Sequence, residues 1–221
     1  MELDQLHKKL RRHLENQEMN WDSHVYGQEI FYQGFDRIGI TGCRPTEKRF
    51  QRYDILDFLS KEKSALDIGS NCGFLTLHFS DYLKSIDGVE LNPFLVSIAN
   101  DTKSFLNITN TQFTCSSFED FRTEKQYDLI FSFANDSTID GNTKFNFMEY
   151  ILKVYNLLPS SGLLVFESQA QDSLSYSLFH PKKEILKKYF EIVVDKKVPS
   201  NFPTKVPERY FLVLKKQKKE N

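Results

Sequence analysis

The segment Asp67-Ile68-Gly69-Ser70-Asn71-Cys72-Gly73-Phe74 joins a carboxylate, two glycines and small polar residues directly behind the apolar pair Ala65-Leu66. Glycine adopts positive φ and lets a backbone approach a ligand closely, while a carboxylate at a strand end accepts a hydrogen bond from an amine or hydroxyl. Glu90 stands 21 residues past Gly69, the separation at which an acidic side chain closing a second strand can grip both hydroxyls of a ribose. Recognition of a nucleoside-bearing cofactor is the chemistry these types suit. A dinucleotide would need G-x-G-x-x-G with its pyrophosphate over a helix N-terminus. Gly69 is followed by Ser70 and Asn71, so that spacing fails.

Such residues must be held by strands that end at them. From Ser64 onward short apolar runs alternate with helical patterns, the mark of βαβ units and a parallel sheet. Strands are predicted at 64–68, 85–90, 111–115, 127–133 and 162–167, with helices at 73–83, 93–106 and 144–158 and a short turn at 118–121. After Pro181 a helix of KKEILKKYF type precedes two strands, 191–198 and 209–215, which suit an antiparallel edge joined through Pro199, Pro203 and Pro207. Upstream, Leu3, Leu6, Leu10 and Leu14 give an amphipathic helix over 1–20. Residues 21–45 read as loops or a short hairpin through Phe31–Ile40, and a second helix is expected from Thr46, as N-cap, to Lys61. The fold class is α/β, a doubly wound and mostly parallel sheet with a C-terminal antiparallel hairpin. The domain division is 1–62 as a helical extension, 63–217 as the nucleoside-binding domain and 218–221 as a basic tail.

At 221 residues with 40% hydrophobic content and 20 Phe, the chain can bury the core of one such domain. A net charge of −1 provides no global field to attract nucleic acid or an anionic membrane. Residues 181–221 hold 12 Lys/Arg against 5 Asp/Glu, but these interleave with helix and edge-strand patterning, so nucleic acid is not the expected partner. Cys43, Cys72 and Cys115 form no C-x-x-C pair, which draws neither a disulfide framework nor a zinc site and suits a reducing compartment. The basic start never reaches an apolar stretch, and no run approaches the ~18 apolar residues of a spanning helix. A cytoplasmic protein without a membrane partner is expected; the oligomeric state is open.

The pattern D-x-G-x-x-x-G at Asp67–Gly73 resembles the first motif of class I S-adenosylmethionine-dependent methyltransferases, with Asn71 in place of the usual middle glycine. Asn tolerates left-handed φ, so the departure is mild. IDGVELNP resembles the second motif, TCSSFEDF the third, QYDLIFSFAND the fourth and GLLVFES the fifth strand, over roughly Ser64–Lys215. The resemblance implies a Rossmann-like fold of small-molecule type with S-adenosylmethionine as cofactor and S-adenosylhomocysteine as product. It implies cofactor contacts from Asp67, Gly69, Ser70, Asn71, Gly73 and Phe74, a ribose ligand in Glu90, and Asn92 near the adenosine. Ser117 and Phe118 would flank adenine, with Asn135 also at the cofactor.

Methyl transfer from a sulfonium is an in-line displacement in which proximity and alignment supply most of the acceleration. A base matters only where the acceptor is a hydroxyl or another weakly acidic group. By position after the fourth and fifth strands, His180, Glu167 and Asp136 are the catalytic candidates. Asp136 and Glu167 lack the further carboxylates of a diagnostic metal set, so no metal is expected. Tyr32, Arg44, Arg49 and Gln169 are the acceptor-binding candidates, because the N-terminal extension reads as a lid and guanidinium groups beside a helix start suit an anion. The acceptor is expected to be a small, anionic or sugar-bearing metabolite methylated on oxygen or nitrogen. An RNA base methyltransferase and a non-catalytic methyltransferase-like binding module are the alternatives.

Overall fold

The computed structural model describes residues 1–27, 29–137, 143–200 and 207–218. Five parallel strands form its centre: β3 (Ser64–Ile68), β4 (Ser85–Glu90), β5 (Thr111–Cys115), β6 (Leu129–Phe133) and β7 (Leu163–Glu167). Two further strands, β8 (Phe190–Pro199) and β9 (Glu208–Lys216), pair antiparallel and extend the sheet to the order β5-β4-β3-β6-β7-β9-β8. Every residue of β6 is buried, the pattern of a strand covered on both faces. The outermost strand β8 alternates and carries Glu191, Asp195, Lys196 and Lys197, charges that discourage pairing with another chain.

Strand parity divides the core. Leu66, Ile130, Leu164, Phe166 and Leu212 face α5 (Phe147–Leu157) and α6 (Tyr176–Lys187). Ala65, Leu129, Phe131, Phe133, Val165, Phe211 and Val213 face the other way, toward Leu75 and Phe79 of α3 (Phe74–Phe79) and Phe50 and Tyr53 of α2 (Thr46–Tyr53). Asp67 and Glu167 share the parity of this second face. The N-terminal helix α1 (Leu3–Asn20) buries Leu6, Leu10 and Leu14 in a third cluster with Phe31, Phe35, Phe74, Leu95 and Ile98, the last two on α4 (Pro93–Phe105). The extension thus shares a core with the sheet domain.

Several elements depart from their predicted form. Residues 31–45 do not make a simple hairpin: β1 (Phe31–Gly34) and β2 (Gly42–Pro45) pair in parallel, and only Phe35 and Ile40 exchange antiparallel hydrogen bonds around a tight turn. Gly42 makes this possible, since a Cβ there would lie 2.3 Å from the backbone of Gln33 and Gly34. Helix α2 is capped by Pro45 rather than Thr46, whose hydroxyl is buried without a hydrogen-bond partner, and it stops at Tyr53 because Asp54 turns left-handed. Helix α3 is a short six residues, followed by turns whose Ser80 and Leu83 carbonyls accept from Asn110. Helix α6 begins at Tyr176 with Ser175 as cap and runs through Pro181, with the loss of one amide donor. Pro203 of the hairpin link and residues 219–221 of the basic tail lie outside the described residues.

Gly39 and Gly73 have similar backbone angles, φ 62° and 72°, but different surroundings. A Cβ on Gly39 meets nothing closer than a side-chain atom at 4.0 Å, whereas one on Gly73 would lie 2.6 Å from Ala99 and 2.7 Å from Phe113. Both glycine-to-alanine changes carry a left-handed penalty of about 1–2 kcal/mol. Gly73→Ala adds overpacking of about 1–3 kcal/mol. Urea denaturation should therefore rank Gly73→Ala clearly below Gly39→Ala in stability.

Candidate active site

A cavity of about 530 Å³ opens at the carboxyl ends of β3, β4, β6 and β7, with Trp21, Tyr26 and Tyr32 of the N-terminal segment on its wall. One end is built around the turn after β3. Gly69 and Asn71 both adopt positive φ, 66° and 54°, and the N–H groups of Gly69 and Ser70 donate to the Val89 carbonyl at 2.8 and 3.0 Å. That turn meets Glu90, whose Oε2 accepts the Asn71 N–H and whose Oε1 accepts the Asn92 N–H, each at 2.9 Å. A carboxylate held by two backbone donors is fixed in orientation, and each oxygen retains acceptor capacity toward the cavity. A Cβ at Gly69 would lie 2.4 Å from Asn135 Oδ1, so glycine is needed there for close packing.

Asn92 caps α4 and donates through its amide to Gln17 Oε1 at 2.8 Å. Gln17, fully buried on α1, also exchanges two hydrogen bonds with the backbone of Tyr26, at 3.1 and 3.2 Å. The N-terminal segment is thereby tied to the Glu90 end of the cavity. Ser117 donates to Asp120 at 2.8 Å, and the Phe118 ring packs on Tyr150. Asp67 accepts from the Thr76 hydroxyl at 2.5 Å, and burial pushes its carboxyl up to about 7. At the end of β6, Ala134 has φ 62°, a left-handed alanine. Its N–H donates to the Glu167 carbonyl at 2.9 Å and its carbonyl accepts from the Gln169 amide at 2.5 Å. The turn this fixes directs the Asn135 amide to the Ile68 carbonyl.

The other end holds a buried charge cluster. Glu167, with no exposed surface, accepts from Arg44 at 2.7 Å and from the Tyr53 hydroxyl, and lies 3.3 Å from Arg209 and 3.6 Å from Arg49. Burial alone would raise its pKa, but the three guanidinium groups and the Tyr53 bond hold it down at about 2. Arg49 also donates to the Tyr53 hydroxyl at 2.8 and 3.0 Å and lies over the Tyr53 and Phe133 rings. Burial works to raise the Tyr32 phenol, yet Arg44, Arg49 and Arg209 keep it below the ordinary tyrosine value. No group of three or more His, Cys, Asp or Glu side chains among the described residues could hold a metal ion.

Of the sequence candidates, Asp67, Gly69, Asn71, Glu90, Asn92, Ser117, Phe118, Asn135, Tyr32, Arg44, Arg49 and Gln169 all line this cavity. Six do not. Ser70 is buried with its hydroxyl turned toward Gly88, and Gly73 is a packing position against Ala99 and Phe113. Phe74 is a core ring stacked on Phe35. His180 sits half-exposed on α6, 3.9 Å from Glu184 and away from the cavity, so its assignment as base is corrected. Asp136 is buried against Lys182 at 2.5 Å, and Glu167 is engaged by three arginines and a tyrosine; neither carboxylate faces the cavity to act on an acceptor.

Arg209, Tyr53 and Gln17 are parts of the site that residue type and spacing do not report. Arg209 lies two residues from Phe211, the register partner of Glu167, so it falls on the same sheet face. That relation needs the β7–β9 register, which periodicity alone does not supply.

Residues 59–218 match the profile of a family described as methyltransferase domain. No curated protein matches the chain by sequence. Among solved structures, the N-methyltransferase NodS from Bradyrhizobium japonicum WM9 in complex with S-adenosyl-L-homocysteine superimposes with a TM-score of 0.65 at 14% identity, covering 95% of this chain and 100% of that one. A Listeria monocytogenes protein assigned to the class I S-adenosylmethionine-dependent methyltransferases gives 0.64 at 16% identity, covering 100% and 72%. An rRNA methylase from Streptococcus thermophilus gives 0.55 at 15% identity, covering 76% and 95%.

The Glu167 cluster generates a pH prediction. Because its folded pKa of about 2 lies below the ordinary 4.5, its stabilisation is full above about pH 4.5 and is lost as pH falls toward 2. Glu167→Gln should lower stability at pH 7 by about 3–5 kcal/mol, since three buried guanidinium groups lose their anion. Urea denaturation at pH 7 and pH 3 should show a much smaller acid loss in the variant than in the wild type.

Proposed function

The chain belongs to the methyltransferase-domain family, and we propose that this S-adenosylmethionine-dependent enzyme methylates an oxygen or nitrogen of a small, anionic or sugar-bearing metabolite. The observation that carries the cofactor half of this reading is the Glu90 carboxylate, clamped by two backbone N–H groups at a turn with left-handed Gly69 and Asn71. A cavity lined there by Ile68, Val89, Leu91 and Phe118 suits a nucleoside with an apolar face. Bound at this end, S-adenosylmethionine supplies an electrophilic methyl group on a good leaving sulfur.

The chain's residues then have the following work. Glu90 takes the ribose hydroxyls, and Asn92 holds the adenosine side through the α4 cap. Ser117 and Phe118 bracket the base. Asp67, beside the Gly69 turn, accepts from the cofactor's amino group, and Asn71 and Asn135 shape the path between them. The acceptor enters between Tyr32, Gln169 and the arginines, under the N-terminal segment that Gln17 ties down as a lid. Where the acceptor must lose a proton, Tyr32 is the proposed base, because its side chain lines the cavity and its hydroxyl oxygen accepts from Arg44 at 3.4 Å. Exclusion of water by Trp21 and Tyr26 keeps the reacting atoms aligned.

An RNA base is the second acceptor class, favoured by the rRNA methylase among the structural matches. Label transfer from S-adenosylmethionine in an extract, before and after ribonuclease treatment, separates the two. Label surviving in the small-molecule fraction supports a metabolite, and label found only in RNA overturns it.

Glu90→Ala should weaken S-adenosylmethionine and S-adenosylhomocysteine alike, by about ten- to hundred-fold, as lost charge-assisted bonds of roughly 1.5–3 kcal/mol require. Isothermal calorimetry measures this directly. Micromolar NAD should not displace bound S-adenosylhomocysteine, since Ser70-Asn71 stands where close pyrophosphate approach needs glycine.

A further inference from the structure

We propose that Arg44 and Arg209, steadied by Glu167, form an oxyanion subsite for a carboxylate or phosphate group of the acceptor, an assignment that rests on reading the cavity as a methyl-transfer site. Buried guanidinium groups need anionic partners, because a charge removed from water without one is strongly disfavoured. Arg44, Arg49 and Arg209 are all buried, and among the described residues they surround one carboxylate, Glu167. The next carboxylate toward the cavity, Asp67, is bound by Thr76 and feels Arg49 but neither of the others. Positive charge is therefore in excess at this end, and two further observations agree. Arg44 Nε is buried with no hydrogen-bond partner, although its residue lines the cavity. The basicity of Arg209 is depressed, by burial first and then by repulsion from Arg44.

Position assigns the subsite to the acceptor. Arg209 stands on β9, four strands from Glu90 on β4 in the sheet order. At a strand spacing of about 4.8 Å that is roughly 19 Å. Arg49 is the guanidinium that acts on Asp67, the carboxylate proposed above to hold the cofactor's amino group, whereas Arg44 and Arg209 do not act on it. Guanidinium forks match the paired oxygens of carboxylate and phosphate, so the subsite would orient an acceptor as well as attract it. Tyr32, which receives a 3.4 Å hydrogen bond from Arg44, then stands beside the anchored acceptor.

Inorganic phosphate titrated into the wild-type chain loaded with S-adenosylhomocysteine tests this, with chloride at equal ionic strength as the control. Phosphate should bind by calorimetry, raise Tm beyond chloride and leave S-adenosylhomocysteine affinity within about twofold. Arg44→Lys and Arg209→Lys should each weaken phosphate by about tenfold or more, the loss of one charge-assisted bond, with little change in S-adenosylhomocysteine affinity. Phosphate that displaces S-adenosylhomocysteine but not 5′-methylthioadenosine, which has no carboxylate, would assign the arginines to the cofactor and overturn the proposal. Phosphate acting no better than chloride also overturns it, and because that comparison uses wild-type protein, unstable variants cannot obscure it. If the chain fails to bind S-adenosylhomocysteine, the methyl-transfer reading itself fails, and phosphate titration of the unloaded chain still decides whether the oxyanion subsite exists.

Discussion

Glu167 joins parts of the chain that are otherwise far apart in sequence. Its carboxylate at the end of β7 is shared by Arg44 from β2, Arg49 and Tyr53 from α2 and Arg209 from β9. A buried ion cluster of this kind is a poor source of net stability, because desolvation offsets most of the attraction. Its effect is positional. Once the carboxylate is buried, each guanidinium has one place where its charge is tolerated, so the N-terminal segment and the C-terminal hairpin are set against the same cavity wall. Aromatic stacking reinforces the arrangement, with the Tyr53 ring between Phe133 and Phe211 at 4.8 and 4.9 Å.

The opposite end of the cavity is positioned by backbone geometry. A left-handed Gly69 and Asn71 turn the chain so that its N–H groups meet the Val89 carbonyl and the Glu90 carboxylate. Asn71 takes a conformation that most side chains resist, and its Oδ1 accepts the Cys72 N–H at 2.9 Å, a local bond that offsets part of the penalty. Ala134 has no such side chain. Its left-handed backbone is held by hydrogen bonds from the β7 side, so the loop after β6 and the loop after β7 form one unit. Gln17 supplies the corresponding link for the N-terminal helix, binding both Tyr26 and Asn92. Each end of the cavity therefore has a fixed rim, and the N-terminal segment is anchored to both.

The parallel strands, the C-terminal hairpin and the Glu90 site follow from patterns that need only a few residues of context. Short strands that end in Asp67-Ile68-Gly69 or Glu90 leave one sensible arrangement, because a strand end and a following turn are local. The predicted limits of α2, α3 and α6 failed for reasons that apolar periodicity does not report: Asp54 turns left-handed after α2, Asn110 from a distant loop satisfies the carbonyls after α3, and Ser175 starts α6 ahead of Pro181. The parallel pairing of β1 and β2 likewise depends on Gly42 fitting against Gln33, a close approach that no periodicity reports.

Residue type and spacing place the sheet, the turn at Asp67–Gly73 with Glu90 beside it, and the candidacy of Arg44 and Arg49, since they are enough to set groups along a strand, turn or helix start. Packing in three dimensions makes Glu167 a buried counter-ion, leaves His180 and Asp136 outside the cavity lining, and adds Arg209 to a cluster with residues more than 150 positions earlier. The reason is physical. A side chain's charge state and reach depend on which groups strand pairing and burial bring beside it, and those neighbours come from sheet register, which couples segments that carry no local sign of one another.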